Sequence, residues 1–262
     1  YFTAKFIHVS HSIAGACAIA LTCPAGTVVA KGKGAGFLGD PIGLREFFDR
    51  IFAEVLPIKV SVKTRLGLKN PEEFPGLVEL YNLYPISRLI VHPRIKTDLY
   101  KGDARREVLL TELPNIKPAL GYNGDIVTLS DLCSCAQNFS GAPGGLVELM
   151  VGRALMADPA LFRKARGKEP AGRDEILAFH NALFDAYAAL FGSRKNAMMR
   201  MKEYWFFQLN LFGENDEISA LQKSAKELFR TREIDQFQRC IRSIIDSYAL
   251  LSETRYGWRK TL

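Results

Sequence analysis

The chain has 262 residues, of which 48% are apolar and 24% charged, and carries a formal net charge of +7. That length can bury a substantial core, as one large domain or as one domain with a smaller appendage. No apolar run reaches the roughly 18 residues of a membrane span, and the opening residues lack the basic start and continuous apolar run of a signal peptide. Residues 1–165 contribute +4 of the charge and the remainder +3. A basic excess spread this way suits a polyanion partner such as RNA; a basic protein with no nucleic-acid role fits it equally.

In chain order, residues 57–63 read as a strand with a charged tip, residues 87–92 as a strand ending at His92-Pro93-Arg94, residues 116–122 as one ending at Asn123-Gly124-Asp125, and residues 146–151 as one ending at Gly152-Arg153. Helical patterns at 41–56, 71–83, 103–112 and 128–138 alternate with them. Such alternation means parallel strands joined by right-handed crossovers. The polar residues all fall at strand C-terminal ends, where ligand sites sit in a (β/α)8 barrel. An open doubly wound sheet competes, but Lys31-Gly32-Lys33-Gly34-Ala35-Gly36 follows a Pro-containing loop and is a weak dinucleotide fingerprint. Beyond residue 170 the strand signal ends, and four amphipathic helices fit 173–191, 195–212, 215–229 and 232–251, as in a bundle. The expected domains are therefore 1–165 and 170–262, with residues 166–170 as linker.

Several constellations can carry chemistry. Lys63 and Arg65, two apart on a strand, point to one face and can grip a phosphate or stabilise an anionic ring. His92 and Arg94 repeat the arrangement. Asn123-Gly124-Asp125 is also an ordinary turn signal, and at Gly152-Arg153 a glycine admits a ligand oxygen while the arginine can pair with a phosphate. Solvated loops explain each alone, but explain all four together poorly. The five cysteines, at 17, 23, 133, 135 and 240, are odd in number and scattered, which suits a reducing cytoplasm. Cys17 and Cys240 lie on apolar stretches and read as small buried hydrophobes. Cys23 enters a glycine-rich basic loop, where a partly exposed thiol can serve as acid or nucleophile. The Cys133-Ser134-Cys135 pair lacks a second pair of ligands, so no metal is expected.

C-P-x-x-x-V-V-x-K-G-x-G-x-x-x-L, K-x-R-L-G, V-H-P-R, N-G-D-I and V-G-R-A-L occur in this order, with K-E-Y-W in the helical part. Together they resemble the flavin-dependent tRNA-dihydrouridine synthases, over roughly residues 20 to 250. The resemblance implies a cytoplasmic flavoprotein oxidoreductase with an FMN-binding (β/α)8 TIM-type barrel and a C-terminal helical tRNA-recognition domain. It implies Cys23 as the acid that protonates uracil C5, and hydride delivery to C6 by FMN that NADPH has reduced. Lys63, His92, Asn123, Gly124, Asp125, Gly152 and Arg153 would hold the cofactor, and Arg65 and Arg94 would be looser candidates for substrate or backbone contact. The partner would be tRNA, acted on by a monomer. The barrel is expected to be incomplete, with six strands recognisable. The family's first strand (A-P-M-x-G) and its Gln-bearing third strand are absent, and Tyr1 to Ile7 resembles the second. Ala20 stands where the family has an Asn, and Thr22 where it has a Gly. The alternative is a non-catalytic RNA-binding relative with a degraded flavin site; another FMN reductase acting on a small conjugated substrate fits the helical tail and the charge less well.

Overall fold

Five short strands rich in β-branched and small residues pair side by side in sequence order. They are β1 (Ala16–Ala20), β2 (Lys59–Gly67), β3 (Arg88–Ile95), β4 (Ala119–Tyr122) and β5 (Leu146–Leu149), all parallel. This computed structural model describes residues 16–53, 58–99 and 101–255; the expected strand at residues 1–7 lies outside them. Internal contacts divide the chain into two compact units. One runs to Asp125 and includes Cys133–Met150; the other comprises Ile126–Leu132 and the chain from Val151. The break at Met150 precedes the linker expected at 166–170.

In the first unit, β2 alternates up to Lys63, with Val60 and Val62 buried while Lys59 and Ser61 face outward. Period-two alternation puts these sets on opposite faces of the sheet. The crossovers are α1 (Gly26–Val29), α2 (Pro41–Phe52), α3 (Phe74–Tyr81), α4 (Arg106–Glu112) and α5 (Leu129–Asn138). Asp40 caps α2 by accepting from the Gly43 N–H at 2.9 Å, with Pro41 at the first helical position. Phe48 of α2 meets Tyr81 of α3 edge-on at 6.0 Å, and the Tyr81 hydroxyl lies 2.8 Å from Thr64 Oγ1, so α2, α3 and β2 share one core. Tyr122 of β4 stacks on Phe139 at 4.6 Å.

Two strands run further than the sequence suggests. β2 continues past Lys63 to Gly67 because Arg65 is buried within the protein, where a strand ending in a charged tip at 63 was expected. β3 runs through Pro93 because the pairing shifts between Arg65↔His92 and Gly67↔Ile95, leaving an extra residue on β3. A proline is tolerated at such a bulge because no ladder hydrogen bond depends on its missing N–H. Among the described residues β1 pairs only with β2, and Cys17 on it is exposed. That corrects the reading of Cys17 as a buried hydrophobe: among the described residues, nothing covers the small side chains of β1 on that side. Cys240 is half-buried.

In the second unit, short helices α6 (Arg153–Ala157) and α7 (Leu161–Lys164) precede four long ones: α8 (Arg173–Phe191), α9 (Arg194–Gln208), α10 (Ile218–Arg230) and α11 (Ile234–Ser247). Gly192, at φ +58°, ends α8, and the Ser193 hydroxyl caps α9 by accepting from the Asn196 N–H. Phe184, Met201, Trp205, Leu221, Leu228, Phe237 and Ile241 lie in one buried cluster. The K-E-Y-W segment is largely structural. Lys202 Nζ donates to the carbonyls of Phe229 and Thr231 and so caps the end of α10, while Tyr204 and Trp205 are buried. Glu203 is exposed and pairs with Arg200 at 2.6 Å. No described helix is long and apolar enough to cross a membrane.

Candidate functional site

Because the strands are parallel, their C-terminal ends converge on one edge of the sheet. The Leu21 N–H donates to the Lys63 carbonyl at 2.7 Å and the Asn123 N–H to the Val91 carbonyl at 2.9 Å, so the ladder continues into the loops that carry the candidate residues. Lys63 Nζ donates to Asn123 Oδ1 at 2.5 Å, and Asn123 Nδ2 donates to the Met150 carbonyl at 2.8 Å. Burial, and then the nearby Arg65 guanidinium, lower the Lys63 pKa to about 8, while Glu148 on β5 pulls it upward. An ammonium has three donors; among the described residues only Asn123 takes one.

His92 and Arg94 lie inside. Arg94 Nη1 is 3.1 Å from His92 Nε2. A guanidinium only donates, so Nε2 accepts and Nδ1 carries the ring proton. Burial, with Arg65, Lys63 and Arg94 nearby, holds the His92 pKa well below its usual value, so the ring is neutral. Arg94 Nη2 donates to the Gly102 carbonyl at 2.7 Å and to Asp125 Oδ2 at 2.6 Å. Both partners of that ion pair are buried, at 0% and 6% exposure. Asp125 Oδ2 also accepts from the Ala104 N–H at 2.9 Å.

Gly124 follows from packing: a Cβ there would stand 2.1 Å from the Tyr122 hydroxyl oxygen. That hydroxyl is held by Arg106 Nε at 3.0 Å, and Arg106 Nη2 donates to the Asp125 carbonyl at 2.7 Å. Arg106 and Glu148 were missed in the sequence. Glu148 left a faint signal, a carboxylate in mid-strand opposite the pattern of its neighbours; Arg106 left none.

Arg65 spends its guanidinium on main-chain carbonyls. Nε donates to Thr22 at 3.1 Å, Nη1 to Ile95 at 2.9 Å, and both Nη groups to Leu99 at 3.3 and 3.4 Å. Cys23, next after Thr22, is half-buried, and its carbonyl accepts from the Ala35 N–H at 3.0 Å. The glycine loop makes that return possible. Gly34 sits at φ +57°, where a Cβ would come 2.8 Å from the Cys23 carbonyl oxygen and 3.0 Å from Cys23 Cβ, and a Cβ on Gly36 would meet the Val29 carbonyl at 2.7 Å.

The first unit thus holds two hydrogen-bonded groups, Lys63 with Asn123 and Arg94 with His92 and Asp125, close enough for Lys63 to lower the His92 pKa. Arg65 and Arg94, expected as substrate or backbone contacts, are directed inward. Gly152 and Arg153 belong to the second unit, where exposed Gly152 precedes α6. A Cβ on Gly152 would meet nothing within 4 Å, so packing does not demand a glycine there.

The model of the dihydrouridine synthase (Dus) family matches residues 8–241. This chain belongs to that family. Among curated relatives, the probable tRNA-dihydrouridine synthase 2 of Bacillus subtilis (strain 168) is 29% identical over 178 residues, covering 65% of this chain and 52% of that protein. The probable tRNA-dihydrouridine synthase of Staphylococcus aureus (strain Mu50 / ATCC 700699) is 29% identical over 173 residues, 63% of this chain and 50% of the relative. That of Staphylococcus epidermidis (strain ATCC 12228 / FDA PCI 1200) is 31% identical over 174 residues, with the same shares. The chain spans about half the length of the curated relatives it matches. Family membership agrees with the parallel α/β fold, and it places the cysteine loop and strand tips in a family named for dihydrouridine synthesis.

Proposed function

We propose that this chain reduces uridines in tRNA to 5,6-dihydrouridine, using FMN and NADPH, on an incomplete (β/α)8 barrel followed by a helical tRNA-recognition domain. One observation carries the reading: Cys23 is held on both sides at the sheet edge where Lys63 and Asn123 meet.

The residues present fit a flavin. Lys63 offers a half-buried cation, two of whose donors have no partner among the described residues, suited to an anionic ring, and Asn123 fixes its direction. Neutral His92, held through Nε2 by Arg94, adds no positive charge beside Lys63. FMN, when bound and reduced by NADPH, supplies the hydride for uracil C6. The protein's own step is the proton: hydride at C6 leaves an electron pair at C5, and the Cys23 Sγ–H bond breaks to place its proton there. The C5=C6 double bond becomes single, and the thiolate regains a proton from solvent. Lys63 holds the ring's negative charge, and the uridine must leave its stack to reach the site.

One observation favours the alternative of a non-catalytic RNA-binding relative. β1 presents exposed Ala18 and Ala20, with Ala20 at the position of the family's Asn. Purified protein decides between them. The catalytic reading requires a yellow protein, or one reconstituted by FMN, that raises the dihydrouridine content of unmodified tRNA on NADPH addition. A colourless protein that FMN cannot reconstitute rejects it. In C23A, NADPH should still bleach the flavin while uridine reduction slows about 10²- to 10⁴-fold; equal loss of both half-reactions contradicts the proton-donor role. A tRNA-binding titration across a salt series excludes a small-molecule reductase if affinity falls steeply with salt.

A further inference from the structure

The two peptide planes flanking Cys23 are each tied down from a different part of the first unit. The peptide unit is planar, so fixing the Thr22 carbonyl fixes the plane that carries the Cys23 nitrogen. Arg65 Nε does this at 3.1 Å. The following plane is fixed through the Cys23 carbonyl, which accepts from Ala35 N–H at 3.0 Å. Two fixed planes determine the direction of the Cα–Cβ bond and leave the thiol only its χ1 rotation. Gly34 lets the loop pass this close: any Cβ there would come 3.0 Å from Cys23 Cβ.

The other Arg65 bonds extend the hold. Ile95 ends β3 and Leu99 lies on the loop after it, where it adopts φ +53°, ψ −97°, an uncommon backbone for a residue with a side chain. Leu99 is 44% exposed, so side-chain packing does not account for the conformation; both Nη groups of Arg65 hold its carbonyl. One rigid, planar guanidinium thereby joins the loop that presents Cys23 to the loop after the His92 strand. A lysine, with a single point of charge, cannot span three carbonyls in two directions. At 1% exposure Arg65 has little surface to offer RNA.

We propose that Arg65 is a positioning residue that aims the Cys23 thiol, and not a substrate contact; this deepens the reading of Cys23 as proton donor and rests on it. The test uses the full chain with Arg65→Lys. Iodoacetamide labelling, read by peptide mass spectrometry, follows Cys23 against exposed Cys17 and Cys133 as internal references and buried Cys135 as a sentinel of unfolding. R65K should alter the Cys23 labelling rate severalfold with the references unchanged. In FMN-loaded protein, single-turnover uridine reduction should slow about 10- to 100-fold, because misplacement by an ångström costs that much, with tRNA affinity unchanged. Unchanged Cys23 labelling combined with weakened tRNA binding would overturn the proposal in favour of direct contact. If the wild type neither binds FMN nor reduces uridine, the activity reading fails, and the labelling arm still tests the geometry alone. If Cys135 becomes reactive in R65K, arginine-labelled wild-type protein replaces it in NMR. The Arg65 Nε–H should be protected from exchange before tRNA is added and unshifted after; protection or a shift gained only with tRNA would sink the idea.

Discussion

Lys63 and Asn123, 60 residues apart in sequence, meet through a 2.5 Å hydrogen bond from the ammonium to the amide oxygen. Asn123 is in turn oriented by its donation to Met150 at 2.8 Å. The middle of β2 and the ends of β4 and β5 are thus tied by one side chain, and the upward pull of the Glu148 carboxylate on the ammonium is the smallest of the three influences on it.

The Lys63 pKa, lowered to about 8 by burial and by Arg65, gives the site a pH dependence. Below that value the side chain is an ammonium; above it the charge is lost. FMN affinity, followed by quenching of flavin fluorescence, is therefore expected to weaken as pH rises through about 8. The loss should approach 10-fold, about 1.4 kcal/mol. Lys63→Met should bind more weakly at neutral pH and lack this step. An identical step in the variant would remove Lys63 from the account.

The Arg94–Asp125 pair is buried on both sides and its carboxylate also serves the Ala104 N–H. Asp125→Ala leaves a buried guanidinium without its counter-charge, a loss of about 3–5 kcal/mol in unfolding free energy. Urea denaturation measures it. The double variant Arg94→Met/Asp125→Leu should recover part of that loss, since replacing both charges by apolar groups removes the desolvation cost with the attraction. A loss in Asp125→Ala below about 1 kcal/mol would mean that the pair behaves like an exposed one.

Gly124→Ala places a methyl 2.1 Å from the Tyr122 hydroxyl oxygen and 2.5 Å from its Cζ. The ring has little room to yield, being stacked on Phe139 and bonded to Arg106. The strain should cost about 1–3 kcal/mol and displace Asn123 and Asp125 on either side. In a Tyr122→Phe background the nearest clash is gone and the cost should shrink. Equal costs in the two backgrounds, by thermal or urea unfolding, would show that the loop yields elsewhere.

How much of this was legible follows from what each residue depends on. The helix expected at 173–191 forms at Arg173–Phe191 because its stop signal, Gly192, acts locally. The strands were placed by their β-branched runs, but their ends were not. Arg65 and Arg94, read from the sequence as candidate contacts at strand ends, are buried, because the carbonyls that satisfy them come from residues 22, 95, 99 and 102, brought together only by the fold. The expected start of β4 at 116 slips to Ala119, just past Pro118, which has no N–H for the ladder. Candidate site residues were visible as types at strand ends; which of them face a ligand and which hold the loops was not, since charge and spacing are alike in both roles.

His180 gives the helical unit its own pH dependence. Its Nδ1 lies 3.0 Å from Trp205 Nε1, and its Nε2 2.9 Å from Gln238 Oε1. Indole nitrogen only donates, so Nδ1 accepts and Nε2 carries the proton toward Gln238. Burial lowers the ring's pKa below its model-peptide value of 6.5, against smaller upward pulls from Gln238 and Asp185. Between the folded and unfolded pKa values the unfolded chain binds the extra proton, so stability is fully present above about 6.5 and declines as pH falls through that window. Protonation would also set an Nδ1–H against the indole N–H. The urea midpoint should therefore fall between pH 7 and 5, and less so in His180→Gln, whose amide oxygen can still accept from Trp205. His92, also depressed, acts with the same sign, so the measured quantity is the difference between wild type and variant. A pH slope unchanged by His180→Gln would assign the acid sensitivity to other groups.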